Sequence, residues 1–456
     1  MRQPAPVSRP VVLTVAGSDS GGGAGIQADL KTIEAGGGFG TSVVTAVTAQ
    51  HTRGVESSFV LPLDEIEAQL DAVLGDFDVR AVKTGMLATG EVVEAVTDRA
   101  RELDAPLVVD PVMVATSGDR LLAEAAERAY EELVGEATVV TPNADEAAVL
   151  TGVDVEDESS AREAGEALRE MGAEYALVKG GHVDSGDEVI DTLVGPEGRE
   201  TFTHARVDTD ATHGSGCTLS SAIATHLAHD EAPAAAVGDA TWFMERAVRY
   251  HHDVGQGPGA VHHLVALRER ADRQPTQEAV EELVRAFVDA DVGPLVPEVG
   301  TNVVGAGAYA ESGDEVVAVE GRIARTLSGV EPTRGTRFGA SSHVGQFLLG
   351  AREVDPELRF AVNLRFDDRV ERALDGVPWP VATADGGSEG DEADEEEGER
   401  GEFTAARRTL TAASRTPRAV VNPARVGYEP TTLVLAREAD VLRERTLTLL
   451  DRLEEN

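Results

Sequence analysis

Two glycine-rich segments have residue types and spacings that could bind a phosphate group. One reads GSDSGGGAG at 17–25, and the other reads HGSGC at 213–217 and leads directly into a helical pattern. The backbone N–H groups of Gly214, Ser215 and Gly216, at a helix N-terminus, could form an anion site for a phosphoryl group in transfer. Glycine turns before helices are common, so this pattern alone is a weak indication of catalysis.

Neither segment has the spacing of the two familiar nucleotide-binding loops. A dinucleotide fingerprint places glycines at relative positions 1, 3 and 6, but the sixth position counted from Gly21 is Ile26. A P-loop needs a glycine before its lysine, and no lysine of this chain follows a glycine. The three lysines are Lys31, Lys83 and Lys179. The sequence therefore matches neither loop.

Apolar runs predict the elements that must position these segments. Between residue 10 and about residue 265, short β-branched runs alternate with helical patterns; the runs are VVLTVAG, TSVVTAVTAQ, VRAVKTGML, PLVVDPVMV, ATVVTPN and YALVKGGH. Strands that are apolar throughout and alternate with helices indicate an α/β fold, with a mostly parallel sheet flanked by helices. Ligands of such sheets bind beyond the carboxyl ends of the strands, where most polar clusters of this sequence fall.

The chain is long enough for two domains, because 456 residues exceed what one hydrophobic core usually supports. We predict a first domain over 1–266 and a second, smaller α/β domain over 277–456. A linker is predicted over 267–276, because the strand pattern is lost around it and glycine, proline and charge collect there.

Within the second domain we expect a helix around 277–290, alternating segments such as EVVAVEGRIA and FAVNLRF, and a closing helix around 437–455. The tract 385–402 contains ten acidic residues and one arginine. Such a composition cannot bury a core, so we expect a disordered loop there.

The composition excludes some classes of partner. A net charge of -42, from 82 acidic and 40 basic residues, is too negative for a protein that binds nucleic acid by neutralising phosphates. An acidic surface with so few lysines is expected of a halophilic protein that stays in solution in a salty cytoplasm, although a GC-rich genome alone could give the same composition.

The compartment is predicted from the cysteine count and the N-terminal segment. Cys217 is the only cysteine, which excludes an internal disulfide and fits a reducing compartment. The segment MRQPAPVSRP leads into only about seven apolar positions, too few for a secretory core or a membrane span. We therefore expect a cytoplasmic protein with no membrane partner.

Seven segments in order resemble the hydroxymethylpyrimidine/phosphomethylpyrimidine kinases of the ribokinase-like superfamily, over roughly residues 10–265. They are AGSDSGGGAGIQADLKT, VTAQHTRGV, VKTGML, VVDPVM, TPNADEA, VKGGH and THGSGCTLS. The resemblance implies a kinase that uses ATP and Mg²⁺ to phosphorylate the hydroxymethyl group of 4-amino-5-hydroxymethyl-2-methylpyrimidine. It also implies a second phosphorylation, which gives the diphosphate.

The resemblance further implies where the substrate binds. Small residues of the first glycine segment would let the backbone approach a flat pyrimidine, and a glutamine amide can both donate to and accept from an aminopyrimidine edge. Two apolar side chains would pack on the ring. The implied substrate-binding residues are Gly23, Ala24, Asp29, Gln50, Met86 and Val112.

The resemblance also implies residues that bind ATP and magnesium. Asn143 and Glu146 match the N-x-x-E element that helps to organise Mg²⁺, and Asp110 is a further metal-ligand candidate because Mg²⁺ prefers oxygen ligands. Lys179 is placed to meet the ATP phosphates, and Ser215 joins it as a nucleotide-binding candidate.

Cys217 stands where many ribokinase-like enzymes carry an aspartate that takes the proton of the attacking hydroxyl. A free thiol titrates near pH ~8.5 and a helix N-terminus lowers that value, so one interpretation is that Cys217 acts as a thiolate base. The other interpretation is that Cys217 only shapes the pocket, because a dissociative transition state needs no strong base. His213 is either a phosphate contact or a loop histidine.

The second domain has a basic region and a second resemblance. Residues 322–369 hold eight arginines against six acids, which indicates an anion site or surface arginines paired with distant carboxylates. The segments LVPEVGTNVVGA, VEGRIAR, RFGASSHVGQFLL, DPELRFAVNLRF and VGYEP resemble the ThiN-type thiamine-phosphate synthase domain. This implies coupling of the pyrimidine diphosphate to thiazole phosphate, with Arg322 and His343 as catalytic residues. Weaker ligand candidates are Asn302, Arg337 and Asn363.

Two alternatives remain open from the sequence. The second domain could sense thiamine phosphates without catalysis, because similar domains occur in regulators. The first could be a pyridoxal or sugar kinase of the same superfamily, although Gln50 and Cys217 favour the pyrimidine. We also expect a homo-oligomer, most simply a dimer.

Overall fold

The structure is a computed structural model that describes residues 5–113, 127–181, 186–384, 395–424 and 429–455. The chain divides into two compact units, Met1–Leu267 and Arg268–Asn456. Among the described residues, every helix is too short or too polar to cross a membrane.

The described residues of the first unit contain ten strands. They are β1 (Val11–Ala16), β2 (Phe39–Val44), β3 (Ala46–His51), β4 (Gly54–Val60), β5 (Val79–Thr84), β6 (Leu107–Val109), β7 (Val139–Val140), β8 (Tyr175–Val178), β9 (Glu188–Gly195) and β10 (Gly198–Ala205). Eight of them form one sheet in the order β10-β9-β8-β7-β6-β5-β1-β2, and β3 and β4 pair separately. The strands from β8 to β2 in that order are mutually parallel, which confirms the predicted mostly parallel sheet.

Two features of these strands differ from the sequence prediction. TSVVTAVTAQ was expected to be one strand, but β2 ends at Val44 and β3 begins at Ala46 in the separate two-stranded sheet. An antiparallel hairpin, β9 and β10, extends the main sheet at its edge and was not predicted. Along β10 the side chains are mostly exposed, so this strand lacks the continuous apolar run of the parallel strands.

The helices of the first unit are α1 (Gly25–Ala35), α2 (Leu63–Asp76), α3 (Gly90–Arg101), α4 (Glu127–Gly135), α5 (Ala144–Thr151), α6 (Glu158–Glu170), α7 (Ser215–Ala228) and α8 (Pro233–Arg249). Valines and leucines of β1, β5, β6 and β8 form the centre of the core. Helix α7 is buried along most of its length, and it packs against α1, β1 and β5. The two glycine segments therefore lead into two helices that contact each other.

The second unit contains β11 (Val303–Ala306), β12 (Val316–Val319), β13 (Ile323–Thr326), β14 (Gly329–Pro332), β15 (Thr336–Phe338), β16 (Phe360–Arg365), β17 (Val381–Thr383), β18 (Ala419–Asn422) and β19 (Thr431–Ala436). Seven of these strands form a mainly antiparallel sheet in the order β15-β12-β11-β16-β19-β18-β17, and β13 pairs with β14 as a separate hairpin. Its helices are α9 (Val265–Asp289), α10 (His343–Arg352), α11 (Asp368–Asp375), α12 (Glu395–Ala412) and α13 (Ala439–Glu455). This is an α/β unit, as predicted.

Two segments differ locally from what their composition suggested. The division between the two units, after Leu267, falls at the start of the predicted linker 267–276, but that segment is part of helix α9, which accommodates Pro275 in its interior. Of the acidic tract 385–402, residues 385–394 lie outside the described residues, whereas 395–402 begin helix α12 instead of continuing a loop. Composition did not indicate that 267–276 and 395–402 are helical.

Candidate active site

The two glycine segments touch each other at Gly214 and Gly23. Gly214 has a φ of +83° and immediately precedes α7. A Cβ added to Gly214 would lie 1.8 Å from the carbonyl oxygen of Gly23, a distance that no side chain can adopt. Position 214 therefore requires glycine for both its backbone conformation and its close approach. The sheet and helices bring the first glycine segment, 17–25, into direct contact with the second, 213–217, which is called the anion segment from here on.

Of the three N–H groups that were predicted to bind an anion, those of Gly214 and Gly216 are still available to one. The N–H of Ser215 donates to the carbonyl of Thr212 at 3.1 Å, so it is not free for a ligand. Within the described part of the chain, the N–H groups of Gly214 and Gly216 have no hydrogen-bond partner. Both lie in the turn that starts α7, where the helix dipole favours an anion.

The first glycine segment is organised by Asp19, which the sequence analysis did not single out. The buried Asp19 carboxylate accepts hydrogen bonds from the N–H groups of Gly21 at 2.7 Å, Gly23 at 2.9 Å and Ala24 at 2.8 Å. His213 Nε2 lies 3.1 Å from the same carboxylate. Burial would raise the pKa of Asp19, but the bonds from His213 and from the loop N–H groups hold it below its usual value. An aspartate just before a run of glycines is a turn signal that could have indicated this role.

The backbone polar groups of Gly23 and Ala24 form hydrogen bonds within the protein. Their N–H groups donate to Asp19, and the Gly23 carbonyl accepts from His263 Nε2 at 3.1 Å. A Cβ at Gly23 would lie 2.6 Å from His213. The small residue at position 23 makes room for His213, and its N–H is used by Asp19.

Asp29 does not have the position that we predicted for a substrate ligand. Its side chain is fully buried, and it forms an ion pair with Lys83 at 2.9 Å. Thr14 and Ser221 also donate to its carboxylate, at 2.6 Å and 2.8 Å. Both oxygens are thus occupied inside the protein, and the expected contact with substrate is wrong for this structure.

Gln50 and His213 line a cavity of about 120 Å³ with residues 51–54, Asp210 and Pro258. The Gln50 amide nitrogen lies 3.5 Å from His213 Nε2, and its amide oxygen accepts from Thr48 at 3.2 Å. The Ser20 hydroxyl donates to the Gln50 carbonyl at 2.8 Å, which ties β3 to the first glycine segment. The predicted glutamine therefore lies beside the glycine segment, with a histidine as its neighbour.

The two predicted apolar ring contacts are both partly exposed. Met86 packs on the start of the first glycine segment, where its sulfur lies 3.1 Å from the position of a Cβ added to Gly17. Val112 follows β6, and its N–H donates to the Asp110 carbonyl at 2.8 Å. Met86 thus lies beside the first glycine segment, and Val112 lies beside Asp110.

Two carboxylates surround Lys179 next to the anion segment. Lys179 Nζ lies 3.3 Å from Asp110 and 3.9 Å from Glu146, and all three side chains are largely buried. A Cβ added to Gly216 would lie 3.3 Å from Lys179 Nζ and 3.5 Å from Asp110 Oδ2. One ammonium, two carboxylates and the free N–H groups therefore meet at the N-terminus of α7. Burial alone would lower the pKa of Lys179, but Asp110 and Glu146 raise it above its usual value, so it stays charged.

Asn143 and Glu146 position each other through a capping box at the start of α5. The Asn143 side chain accepts from the Glu146 N–H at 2.9 Å, and the Glu146 carboxylate accepts from the Asn143 N–H at 2.9 Å. Burial raises the pKa of Glu146 to about 7; Lys179 opposes this shift and Asp110 adds to it. Two carboxylates thus face a single ammonium, and the second negative charge is unfavourable in this buried position. A bound cation would stabilise the ionised form of Glu146.

Cys217 is protonated at neutral pH in this structure. Burial raises the pKa of its thiol to about 11, and the Lys83 ammonium and the Gly25 N–H oppose this shift only in part. Desolvation therefore outweighs the lowering of the pKa that was expected from the helix N-terminus.

In the second unit, Arg322 and His343 are both exposed. Arg322 precedes β13 and donates to the Val299 carbonyl at 2.8 Å, and His343 is the first residue of α10. No ion pair of either residue is present within the described part of the second unit. Both side chains are thus accessible to a ligand.

Most of the other arginines in the basic region are structural. Arg352 is buried and donates to the carbonyls of Leu358 and Ala308, and Arg359 pairs with Asp272 at 2.7 Å. Acidic partners also lie beside other arginines of the region; these pairs are Arg334 and Arg337 with Glu320, and Arg365 with Asp367.

The three weaker ligand candidates have roles within the protein. Asn302 and Asn363 are buried and bonded to each other, with the Asn302 N–H donating to the Asn363 side chain at 2.6 Å. Asn302 also bonds the backbone of Val319 in both directions. Arg337 donates to the Phe338 carbonyl. None of these contacts presents the asparagines to a ligand.

Comparison with known proteins matches both units to families. The profile of the phosphomethylpyrimidine kinase family matches residues 19–262, and that of thiamine-phosphate synthase ThiN matches residues 279–447. The first match alone covers more than half of the chain.

Individual proteins similar to this chain are named as enzymes of these two families or of thiamine biosynthesis. The hydroxymethylpyrimidine/phosphomethylpyrimidine kinase of Streptomyces coelicolor is 49% identical over 265 residues, which are 58% of this chain and 98% of that protein. The thiamine biosynthesis bifunctional protein ThiED of Geobacter sulfurreducens is 45% identical over 271 residues, 59% of this chain and 55% of that protein. The chain therefore spans about half of the length of this second relative.

Solved structures similar to the first unit are vitamin kinases. The ADP complex of Bacillus subtilis pyridoxal kinase aligns with a TM-score of 0.53 and 33% identity, over 57% of this chain and 99% of that chain. Staphylococcus aureus pyridoxal kinase in complex with AMP-PCP and pyridoxal aligns with a TM-score of 0.53 and 31% identity, over 57% and 94%. The chain therefore belongs to the phosphomethylpyrimidine kinase family and carries a ThiN-type thiamine-phosphate synthase domain after its kinase domain, which makes it a two-domain enzyme of thiamine biosynthesis.

Proposed function

We propose that the first unit transfers phosphoryl groups from ATP to 4-amino-5-hydroxymethyl-2-methylpyrimidine and then to its monophosphate. The observation that carries this proposal is the meeting of Gly216, Lys179 and Asp110 at the N-terminus of α7. A phosphoryl group in transfer spreads negative charge over its oxygens, and catalysis consists mainly of positioning and charge stabilisation. Two N–H groups and one ammonium at this point supply that stabilisation.

Asp110 and Glu146 are the residues that would hold Mg²⁺, directly or through water. Their oxygen donors and their excess of negative charge fit this ion, and Asn143 keeps the Glu146 carboxylate in place. When bound, Mg²⁺ neutralises phosphate charge during transfer. Lys179 remains between the two carboxylates and would contact the terminal phosphate from the protein side.

The pyrimidine would lie in the cavity beside Gln50, close to the first glycine segment. The Gln50 amide can pair with the ring nitrogen and the exocyclic amine of an aminopyrimidine, and Met86 offers an apolar face. A protonated Cys217 would act by filling the space behind the hydroxymethyl group, and a base role would require loss of its proton on substrate binding. Asp19 holds the loop in the required shape from behind.

The structural likeness to pyridoxal kinases makes pyridoxal the competing substrate. Rates of ADP formation, measured over a range of concentrations of the hydroxymethylpyrimidine, pyridoxal and ribose, give kcat/KM for each candidate. We expect the pyrimidine to give the highest kcat/KM and Gln50→Leu to lower it selectively. A higher kcat/KM for pyridoxal would contradict the assignment.

For the second unit, the proposal is coupling of the pyrimidine diphosphate to thiazole phosphate with release of pyrophosphate. The support is two accessible cation-forming side chains, Arg322 and His343, in a chain of net charge -42. The departing diphosphate gains charge as its bond to the methylene carbon breaks, and an arginine stabilises such a group. A sensor domain would bind thiamine phosphates but release no pyrophosphate.

The experiment that tests both steps incubates the whole chain in high salt with the hydroxymethylpyrimidine, thiazole phosphate, ATP and Mg²⁺. We expect thiamine phosphate as the product. Omission of thiazole phosphate is expected to leave the pyrimidine diphosphate. Accumulation of that diphosphate in the complete mixture would instead identify the second unit as a sensor.

We further propose a homodimer through the β3 and β4 hairpin. Val47 and Phe59 are directly opposite in this two-stranded sheet, and they are 49% and 65% exposed. A second copy would bury this apolar pair. Light scattering on the wild type and on Phe59→Asp is expected to show a dimer and a monomer, with Val254→Asp as an exposed control. A monomeric wild type would contradict the proposal.

A further inference from the structure

Lys83 and Asp29 form a fully buried ion pair that the proposed reaction does not use. Both side chains are 0% exposed, and Lys83 Nζ lies 2.9 Å and 3.0 Å from the two carboxylate oxygens. Lysine is rare in this chain, since only three of its 40 basic residues are lysines. A buried ion pair is weak evidence for stability, because desolvation offsets the attraction. The pair therefore calls for an explanation in terms of what it positions.

The Asp29 carboxylate connects four elements of the first unit. Asp29 itself is on α1, and Lys83 approaches it from β5. The Thr14 hydroxyl donates to it from β1 at 2.6 Å, and the Ser221 hydroxyl donates from α7 at 2.8 Å. Two strands and two helices thus converge on one carboxyl group.

The two helices in this set are those that follow the glycine segments. Helix α1 begins at Gly25, and Asp29 lies about one turn into it. Helix α7 begins at Ser215, and Ser221 lies fewer than two turns into it. Because the segments touch at Gly214 and Gly23, a shift of either helix would separate them. The carboxylate ties both helices close to the ends that carry the site.

Lys83 also acts on the anion segment through its charge. Burial alone would lower the pKa of Lys83, but Asp29, Cys217 and Asp110 raise it above its usual value, so the group stays charged. Its positive charge opposes the effect of burial on the pKa of the Cys217 thiol, and this effect exceeds the opposite effect of the Asp29 charge. The ion pair therefore has both a mechanical and an electrostatic connection to the start of α7.

We infer that Asp29, Lys83 and Ser221 are positioning residues for phosphoryl transfer, which hold α1 and α7 so that the two glycine segments face each other at the correct distance. This inference rests on the proposed kinase function for its activity readout. A second readout, the reactivity of Cys217 toward a small alkylating reagent, does not depend on any substrate. Misplacement of reacting groups by about 1 Å can cost about 10²-fold in rate.

The first experiment compares two hydroxyl deletions on the same helix. Ser221→Ala removes the bond from α7 to Asp29, whereas Thr225→Val removes a buried hydroxyl, one turn further on, that bonds only within the helix. We expect Ser221→Ala to lower kcat by about 10-fold to 10²-fold with little change in KM for ATP, and Thr225→Val to change neither. Equal effects of the two variants, or an unchanged kcat in Ser221→Ala, would overturn the inference.

The second experiment separates positioning from folding. Asp29→Asn alone leaves a buried unpaired ammonium and is expected to lower the thermal midpoint, whereas Asp29→Asn with Lys83→Met removes both charges and should restore it. The double variant should remain about 10²-fold slower in phosphoryl transfer. Its Cys217 should alkylate more slowly than in the wild type, because loss of the Lys83 charge raises the pKa of the thiol by more than loss of the Asp29 charge lowers it. Wild-type activity and wild-type alkylation in a stable double variant would reduce the pair to a structural role. A wild type without kinase activity would defeat the proposed function; unchanged Cys217 alkylation in the double variant would then overturn the inference by itself.

Discussion

Gly214 and Gly23 are in backbone contact, with the carbonyl oxygen of Gly23 occupying the space that any side chain at 214 would need. We expect Gly214→Ala to lower kinase kcat/KM by at least about 10²-fold, because the two loops must move apart. Gly152→Ala is the matched control. Gly152 also has a positive φ, +72°, but has open space around it, so that variant should lose only about 1 kcal/mol of stability. Equal loss of activity in the two variants would exclude loop contact as the cause.

Lys179 lies between two buried carboxylates, so its removal should leave uncompensated negative charge where the phosphate must bind. We expect Lys179→Met to lower kcat by about 10²-fold to 10³-fold in an ADP-release assay. The control is Arg80→Ala, which breaks an exposed ion pair with Asp230 and should change stability by less than about 1 kcal/mol. Full activity of Lys179→Met would exclude the ammonium from phosphate binding.

Cys217 allows a direct measurement of its own titration, since it is the only cysteine. With the pKa raised to about 11 by burial, the alkylation rate of the ligand-free protein should stay low through pH 9 and rise only above about pH 10. The same cysteine in the urea-unfolded chain is the control and should titrate near pH ~8.5. A folded-state midpoint close to neutral pH would instead favour the thiolate base.

His263 should make the first unit less stable in acid. Burial, with Lys31 adding to the shift, lowers the pKa of His263 to about 4, and the neutral ring donates to the Gly23 carbonyl. Between that value and ~6.5 the unfolded chain binds more protons, so the free energy of unfolding falls as the pH drops through this window, by up to about 3 kcal/mol. Urea unfolding at several pH values measures this. His263→Gln should give a shallower dependence, whereas exposed His229→Gln should not; identical curves for the two variants would contradict the assignment.

Arg322 should matter to the second unit alone. We expect Arg322→Ala to reduce pyrophosphate release from the pyrimidine diphosphate and thiazole phosphate by about 10²-fold, with kinase turnover unchanged. Arg334→Ala, which breaks an exposed pair with Glu320, is the matched control and should retain coupling. A similar fall in both variants would indicate a general effect of lost positive charge.

The sequence predicted the parallel strands because both faces of each are buried, as at β1, where five of six residues are buried. It missed β10 because a sheet edge with one exposed face lacks that continuous apolar run. The two units divide after Leu267, at the start of the predicted linker. The helical conformation of 267–276 was not predicted, because composition alone does not reveal that helix α9 continues through Pro275.

For the site, motif order located Gln50, Lys179 and the anion segment, but it did not indicate how the carboxylates are used. Asp29 was misassigned because its partners Lys83 and Ser221 are 54 and 192 positions away in the chain, beyond the range of any local pattern. Asp19 was missed because its role depends on the loop folding its N–H groups back toward one carboxylate.

The burial of Lys83 also explains why arginine would not fit at this position, although it replaces lysine almost everywhere else in the chain. A guanidinium carries five N–H donors and is larger than an ammonium, whereas the oxygens of Asp29 are already shared among three donor groups. An arginine at position 83 would therefore leave N–H donors without acceptors inside the protein. The shape of the side chain, and not its charge alone, accounts for a lysine at this position.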